Sequence, residues 1–224
     1  GPAKGADLAA LRTGFAAVAE PFDMIWAIHS GADRMKVLLM VSNFGHCLND
    51  LLYRWRIGAL PIDIVAVISN HDDYRATVES HAIPYHCIRV TKENKSEAEA
   101  RQMEILHSTG AELIVLARYM QVLSNEMCQA MSGRIINIHH SFLPGFKGAK
   151  PYTQAFNRGV KLIGATAHYV TSDLDEGPII AQAVEPTTHV DQPDVMTAKG
   201  RDTEARVLAR AVKLHTEGRI FLNG

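Results

Sequence analysis

Asn137, Ile138 and His139 close an apolar run. If that run is a β-strand, alternation turns the side chains of Asn137 and His139 to one face and Ile138 to the other. An amide and an imidazole then point into one cleft. Attack on a carbonyl needs those two groups: a hydrogen-bond donor for the developing oxyanion and a titratable proton carrier. The histidine alone decides little, because a His near a strand end is more often a core or capping residue than a reacting one.

Two loops could complete such a site. Residues 140–149 (HSFLPGFKGA) read as a long turn with apolar anchors, suited to walling a flat ligand. Residues 171–178 (TSDLDEGP) form an acidic loop between two strands. Loop carboxylates are usually solvated, and that is the expectation for Asp173 and Glu176. Leu174, Gly177 and Pro178 constrain Asp175 more tightly. His168, on the strand before this loop, is expected to support rather than react, whereas His46 and His140 are candidates for contact with water or a reacting group. A metal centre built from His139, His140 and His168 is disfavoured. Adjacent strand residues point to opposite faces, and no cysteine or paired carboxylate completes a set, so no metal is expected.

The elements that must position these residues follow from the hydrophobic pattern. Residues 36–41 (KVLLMV) and 62–69 (IDIVAVIS) are nearly continuous apolar runs, as strands buried on both faces require. Between them Leu48, Leu51, Leu52 and Trp55 recur at helical spacing up to Gly58 and Pro61, which makes a β-α-β unit. The alternation predicts a helix over 72–81, a short strand over 85–88, a helix over 96–108, a strand over 113–117, a helix over 125–131 and the strand 135–139. A helix over 152–158, strands over 164–170 and 178–184, and a long helix from 194 to about 217 follow; Gly200 interrupts the apolar pattern of that last helix. The fold class is α/β, a mostly parallel, doubly wound, Rossmann-like sheet with helices on both faces. Such sheets bind ligands beyond the carboxyl ends of their strands, where Asn137 and His139 fall.

The first 34 residues differ: a helix over 7–19, a strand over 24–29 and a polar break at 30–34. One helix and one strand cannot close a core, so residues 1–34 are a docked extension or part of a small domain, and 35–224 the main domain.

A chain of 224 residues with 47% hydrophobic and 21% charged content has the balance of a globular protein. A net charge of -1 provides no footprint for a phosphate backbone or an anionic membrane, so neither nucleic acid nor membrane is an expected partner. Cys47, Cys87 and Cys128 lie far apart with no C-x-x-C pair. They are read as core thiols in a reducing compartment. No apolar run reaches the about 20 residues that span a bilayer, nor does a basic and then apolar segment open the chain, so the expected location is the cytoplasm.

Asn137-Ile138-His139 followed by Ser141-Phe142-Leu143-Pro144, and then Leu174-Asp175-x-Gly177-Pro178, resembles the family of formyltransferases and hydrolases that use 10-formyltetrahydrofolate. The likeness covers about residues 35–222, and the run from His139 to Thr171 is closest to the hydrolase branch. It implies the formyltransferase type of sheet, with Asn137, His139 and Asp175 as catalytic residues. It places the pterin ring against Met120, Gln121, Val122 and Leu123 and against the loop from Thr171, with His140 nearby. Read as residues alone, Met120, Val122 and Leu123 could equally be core.

Family transferases that act on glycinamide ribonucleotide usually have Pro at the place of His140 and a Gly- and Ser-rich phosphate turn after the first strand. Here that turn reads Ser42-Asn43-Phe44-Gly45-His46-Cys47, with bulky residues where a phosphate needs close approach. Water is left as the formyl acceptor. The implied mechanism has Asp175 positioning and helping to deprotonate a water, with Asn137 and protonated His139 stabilising the oxyanion. No cofactor is needed, folate being the substrate. The alternatives are a formyltransferase with an amine acceptor and a non-catalytic folate-binding protein. The N-terminal α-β segment resembles the end of a ferredoxin-like (ACT-type) regulatory domain, and its exposed apolar surface suggests a homo-oligomer.

Overall fold

The computed structural model describes residues 7–143 and 151–222. The chain divides into two compact units, Gly1–Arg34 and Met35–Gly224.

In the first unit, helix α1 (Leu8–Ala19) starts at Asp7, whose carboxylate accepts the Ala9 N–H at 3.0 Å, and runs into a single 3-10 turn at Glu20–Phe22. The strand expected over 24–29 does not form. A strand needs a partner for its N–H and C=O groups, and none of the described residues supplies one. Side chains hold this stretch to α1 instead: the Arg12 guanidinium donates to the Ile28 carbonyl at 2.8 Å, and Phe15 meets Trp26 edge-on at 5.1 Å.

The second unit is a seven-stranded sheet in the order β3-β2-β1-β4-β5-β6-β7. Strands β1 (Met35–Val41), β2 (Ile62–Ser69), β3 (Tyr85–Cys87), β4 (Leu113–Leu116) and β5 (Ile135–His139) are parallel. Strands β6 (Leu162–Tyr169) and β7 (Ile179–Pro186) extend the sheet antiparallel. Helices α2 (His46–Arg56), α3 (Arg75–Glu79), α4 (Lys95–Thr109), α5 (Asn125–Ala130), α6 (Pro151–Asn157) and α7 (Pro193–Thr216) supply the connections and the end. The helix expected over 72–81 is cut to Arg75–Glu79, because residues 71–74 form a turn.

Both faces of the sheet are covered, as the apolar runs require. Along β1, Val37, Leu39 and Val41 pack on one face with Leu48, Leu51 and Leu52 of α2 and Val207, Leu208 and Ala211 of α7. Leu38 and Met40 turn to the other face, with Ile105 and Leu106 of α4 and Met127 and Cys128 of α5. Gly200 does not break α7: a Cβ there would lie 2.0 Å from the Tyr152 hydroxyl, so the glycine admits a ring from α6. Among the described residues no helix is long and apolar enough to cross a membrane.

Candidate active site

The chain order reverses between β1 and β4, which flank each other while β2 lies on the far side of β1. Beyond the carboxyl ends of β1, β4 and β5 lies a pocket of about 670 Å³, at the position where open α/β sheets bind ligands. Asn137 and His139 both line it, as alternation along β5 requires, while Ile136 and Ile138 belong to the core, Ile138 also bordering the pocket.

Antiparallel pairing sets His168 of β6 directly opposite Asn137. The Asn137 Nδ2 is 3.2 Å from His168 Nε2, and His168 Nδ1 donates to the Tyr169 carbonyl at 2.9 Å. That second bond fixes the ring and turns Nε2 toward both the Asn137 amide and the Asp175 carboxylate.

Asp175 sits in the loop after β6 with a φ of 58°, a left-handed backbone unusual for a non-glycine residue. The loop is held down at Gly177, where a Cβ would fall 1.8 Å from the Tyr169 carbonyl oxygen. So placed, the Asp175 carboxylate lies 3.2 Å from His139 Nδ1 and 3.6 Å from His168 Nε2. Hydrogen bonding from the His139 ring first, and then from His168, holds its pKa far below the usual carboxylate range. A carboxylate so stabilised is a poor proton acceptor. The His139 ring is only 6% exposed, and its Nε2 has no hydrogen-bond partner of its own.

Met120, Gln121, Val122, Leu123, His140 and Thr171 all line the same pocket. Met120 and Val122 are exposed, Val122 at 58%, whereas Leu123 is buried, so only the last belongs to the core. His140 is close behind His139, ring centroids 5.1 Å apart, and burial followed by the Arg118 charge pushes its pKa down to about 4. Asp173 and Glu176 are exposed. Of the turn expected over 140–149, residues 144–150 lie outside the described residues.

The turn after β1 is filled. Phe44 and His46 line the pocket, and the Ser42 hydroxyl donates to Asn70 while accepting the Met120 N–H at 3.0 Å. Behind them is a polar cluster that the sequence reading missed. Glu204 of α7, 1% exposed, takes His46 Nε2 at 2.8 Å and the Tyr152 hydroxyl at 2.7 Å, with Arg118 Nε at 3.4 Å. Burial pushes its pKa up, but the His46 hydrogen bond, the Arg118 charge and the Tyr152 hydroxyl outweigh that and hold it below the usual range. A signal existed: Glu204 is three and four residues before Val207 and Leu208, inside the apolar stripe of α7, where an unpaired carboxylate is not tolerated.

His46, Cys47 and Glu204 bring ligand-type atoms within 4.8 Å of one another. They do not suit a cation, since His46 and Glu204 already bond each other, burial first and Glu204 next hold the Cys47 proton on, and Arg118 supplies a positive charge beside them.

Residues 35–212 match the model of the formyl transferase family. The formyltetrahydrofolate deformylase of Corynebacterium sp. is 55% identical over 217 residues, which cover 97% of this chain and 76% of that protein. The crystal structure of a formyltetrahydrofolate deformylase from Pseudomonas syringae superposes with a TM-score of 0.92 at 48% identity, covering 98% of this chain and 74% of that one. A glycinamide ribonucleotide transformylase from Symbiobacterium toebii is similar at a TM-score of 0.80 and 30% identity, over 89% of this chain and 95% of that one.

Proposed function

We propose that this chain, which belongs to the formyl transferase family, hydrolyses 10-formyltetrahydrofolate to tetrahydrofolate and formate. The observation that carries the reading is the Asp175–His139 pair beside Asn137, all three residues lining the pocket. The far greater likeness to deformylases than to the transformylase supports the hydrolytic outcome. So does the turn after β1, where the bulky Phe44 and His46 line the pocket in place of a Gly- and Ser-rich phosphate turn.

In this mechanism the Asp175 anion accepts the His139 Nδ1–H and keeps Nε2 basic. His139 Nε2 takes a proton from water as the oxygen adds to the formyl carbon, and Asn137 donates to the oxyanion that forms. Collapse breaks the C–N10 bond, and the proton on Nε2 passes to N10. Water therefore supplies the oxygen of formate and the hydrogen of tetrahydrofolate. His139 is a proton carrier here, and Asp175 acts through it rather than on water itself. The pterin lies against Met120 to Leu123 and Thr171. The chemistry requires no metal or organic cofactor.

Three unpaired cysteines accord with a reducing, cytoplasmic setting. The exposed Phe22 and Ile25 of the N-terminal segment, read as part of a regulatory domain, accord with self-association. Neither nucleic acid nor a membrane is assigned as a partner, the net charge being -1.

The test is release of formate on mixing with 10-formyltetrahydrofolate, with and without glycinamide ribonucleotide. Formate appearing in step with tetrahydrofolate supports hydrolysis; formyl transfer to the nucleotide, or binding with no product, overturns it.

A further inference from the structure

Four non-glycine residues among those described have positive φ, and two of them line the pocket: Asp175 and Arg118. A left-handed backbone costs a side-chain-bearing residue about 1–3 kcal/mol and persists where its surroundings impose it. For Asp175 the purpose is plain. Arg118, at a φ of 65°, has no part in the mechanism above.

The surroundings of Arg118 fix it firmly. Its carbonyl accepts the Ser42 N–H at 3.2 Å, and Ser42 Oγ accepts the N–H of Met120. The side chain that results is 9% exposed, and its Nε has no hydrogen-bond partner, the nearest carboxylate oxygen being Glu204 Oε2 at 3.4 Å. A buried guanidinium nitrogen without an acceptor is costly unless a ligand supplies one. Its guanidinium carbon lies 5.6 Å from the centroid of the Phe44 ring, and that of Arg201 lies 5.4 Å from the same ring. Arg118, Arg201 and Phe44 all line the pocket. Glu204 can offset one of the two arginines, and its oxygens already take His46 and Tyr152. Within this group of described residues the two guanidiniums outnumber the one carboxylate.

We propose that Arg118 and Arg201, on either contact with Phe44, form a carboxylate subsite that receives the formate released from the formyl centre. The proposal rests on the hydrolase reading for its ligand. Formate is an anion born beside the Asp175 anion, which repels it, and a guanidinium is the side chain best fitted to a carboxylate. His140 connects the two places: its ring lies 5.1 Å from that of His139, and burial first and the Arg118 charge next lower its pKa. Because Glu204 balances much of the positive charge, the hold on formate is weak and release stays possible.

The experiment is binding of 13C-formate followed by its resonance in the intact protein, in Arg201→Gln and in Arg118→Lys, with thermal melting as a check of folding. Arg201 is exposed, so its variant retains the fold. Saturable binding, weakened about tenfold or more in each variant, is the expected result, that being the loss of one charge-assisted hydrogen bond. Equal formate affinity in all three folded proteins overturns the subsite. So does an intact protein that releases formate from substrate yet shows no saturable formate binding. Formate binding that the variants weaken, in a protein without hydrolase activity, upholds the subsite and sinks the hydrolase reading instead. The glutamyl carboxylate of folate is the rival source of the same chemistry. If the variants weaken tetrahydrofolate but not tetrahydropteroate, and leave formate unaffected, the site belongs to the folate tail and the proposal fails.

Discussion

At the residue scale the Asp175 carboxylate lies within 3.6 Å of both His139 and His168, and the proposed mechanism has it act as an anion through His139. Asp175→Asn keeps the shape of the loop but removes the charge that sets the His139 ring, so folate should still bind while turnover falls by ~10²–10⁴. High pH should not restore it, because the lost group is already fully ionised in the normal range. His139→Ala should also bind folate and fail to release formate. The double variant should lose far less than the product of the two single losses, since both residues serve one transition state. Initial-rate formate assays on purified variants check this; near wild-type turnover in Asp175→Asn would remove it from the mechanism. Val122 supplies a companion test, because its side chain is exposed on the pocket wall. Val122→Asp should leave the melting temperature within a few degrees and weaken folate binding by at least about tenfold, as an unpaired charge in an apolar slot must. Loss of folding would return the residue to the core.

Helix α7 determines, at the element scale, whether the polar cluster exists, for it carries Glu204 and also Gly200, which admits the Tyr152 ring. Gly200→Ala would raise helix propensity by about 1 kcal/mol. The added Cβ, 2.0 Å from the Tyr152 hydroxyl, must displace the ring from its 2.7 Å bond with Glu204. A hydrogen bond to a charged group contributes about 1.5–3 kcal/mol, so the bond outweighs the propensity and the variant should be less stable by about 1 kcal/mol. Urea titration gives the sign directly. A more stable Gly200→Ala would show that α6 yields without loss, and that the glycine is not there for Tyr152.

Stability against pH is a property of the whole molecule. The His140 pKa falls from an ordinary 6.5 to about 4 by burial and the Arg118 charge, and burial lowers that of His215 as well. A histidine whose folded pKa is depressed stays neutral in the native state while the unfolded chain takes up a proton, so its contribution is full above 6.5 and lost as pH falls through that window. Asp175 has the same sign at lower pH: its contribution is full above the ordinary carboxylate pKa of about 3.9 and is lost only on strong acidification. Unfolding free energy should therefore decline between pH 6.5 and about 4, and His140→Gln should flatten that decline. An unchanged slope in the variant would mean His140 is protonated in the native pocket.

The sequence by itself determined the doubly wound sheet, because buried parallel strands must be apolar along their whole length and 36–41 and 62–69 are. It also placed Asn137 and His139 on one face, since the two-residue period of a strand leaves no other choice. It misjudged residues 24–29, because an apolar pattern reveals what a strand would bury but not whether a partner strand is at hand. What only the tertiary structure decided are meetings between distant residues: His168 opposite Asn137 through antiparallel pairing, Asp175 against His139 through a left-handed turn, and Glu204 with His46 across 158 positions of chain. No local periodicity encodes them. Their effect on chemistry is electrostatic, and depends on distances of a few ångströms in a buried site. Hydrogen bonding from His139 first and His168 next holds the Asp175 carboxyl far below its usual range, and it is on this that the proposed mechanism gives the proton of water to His139.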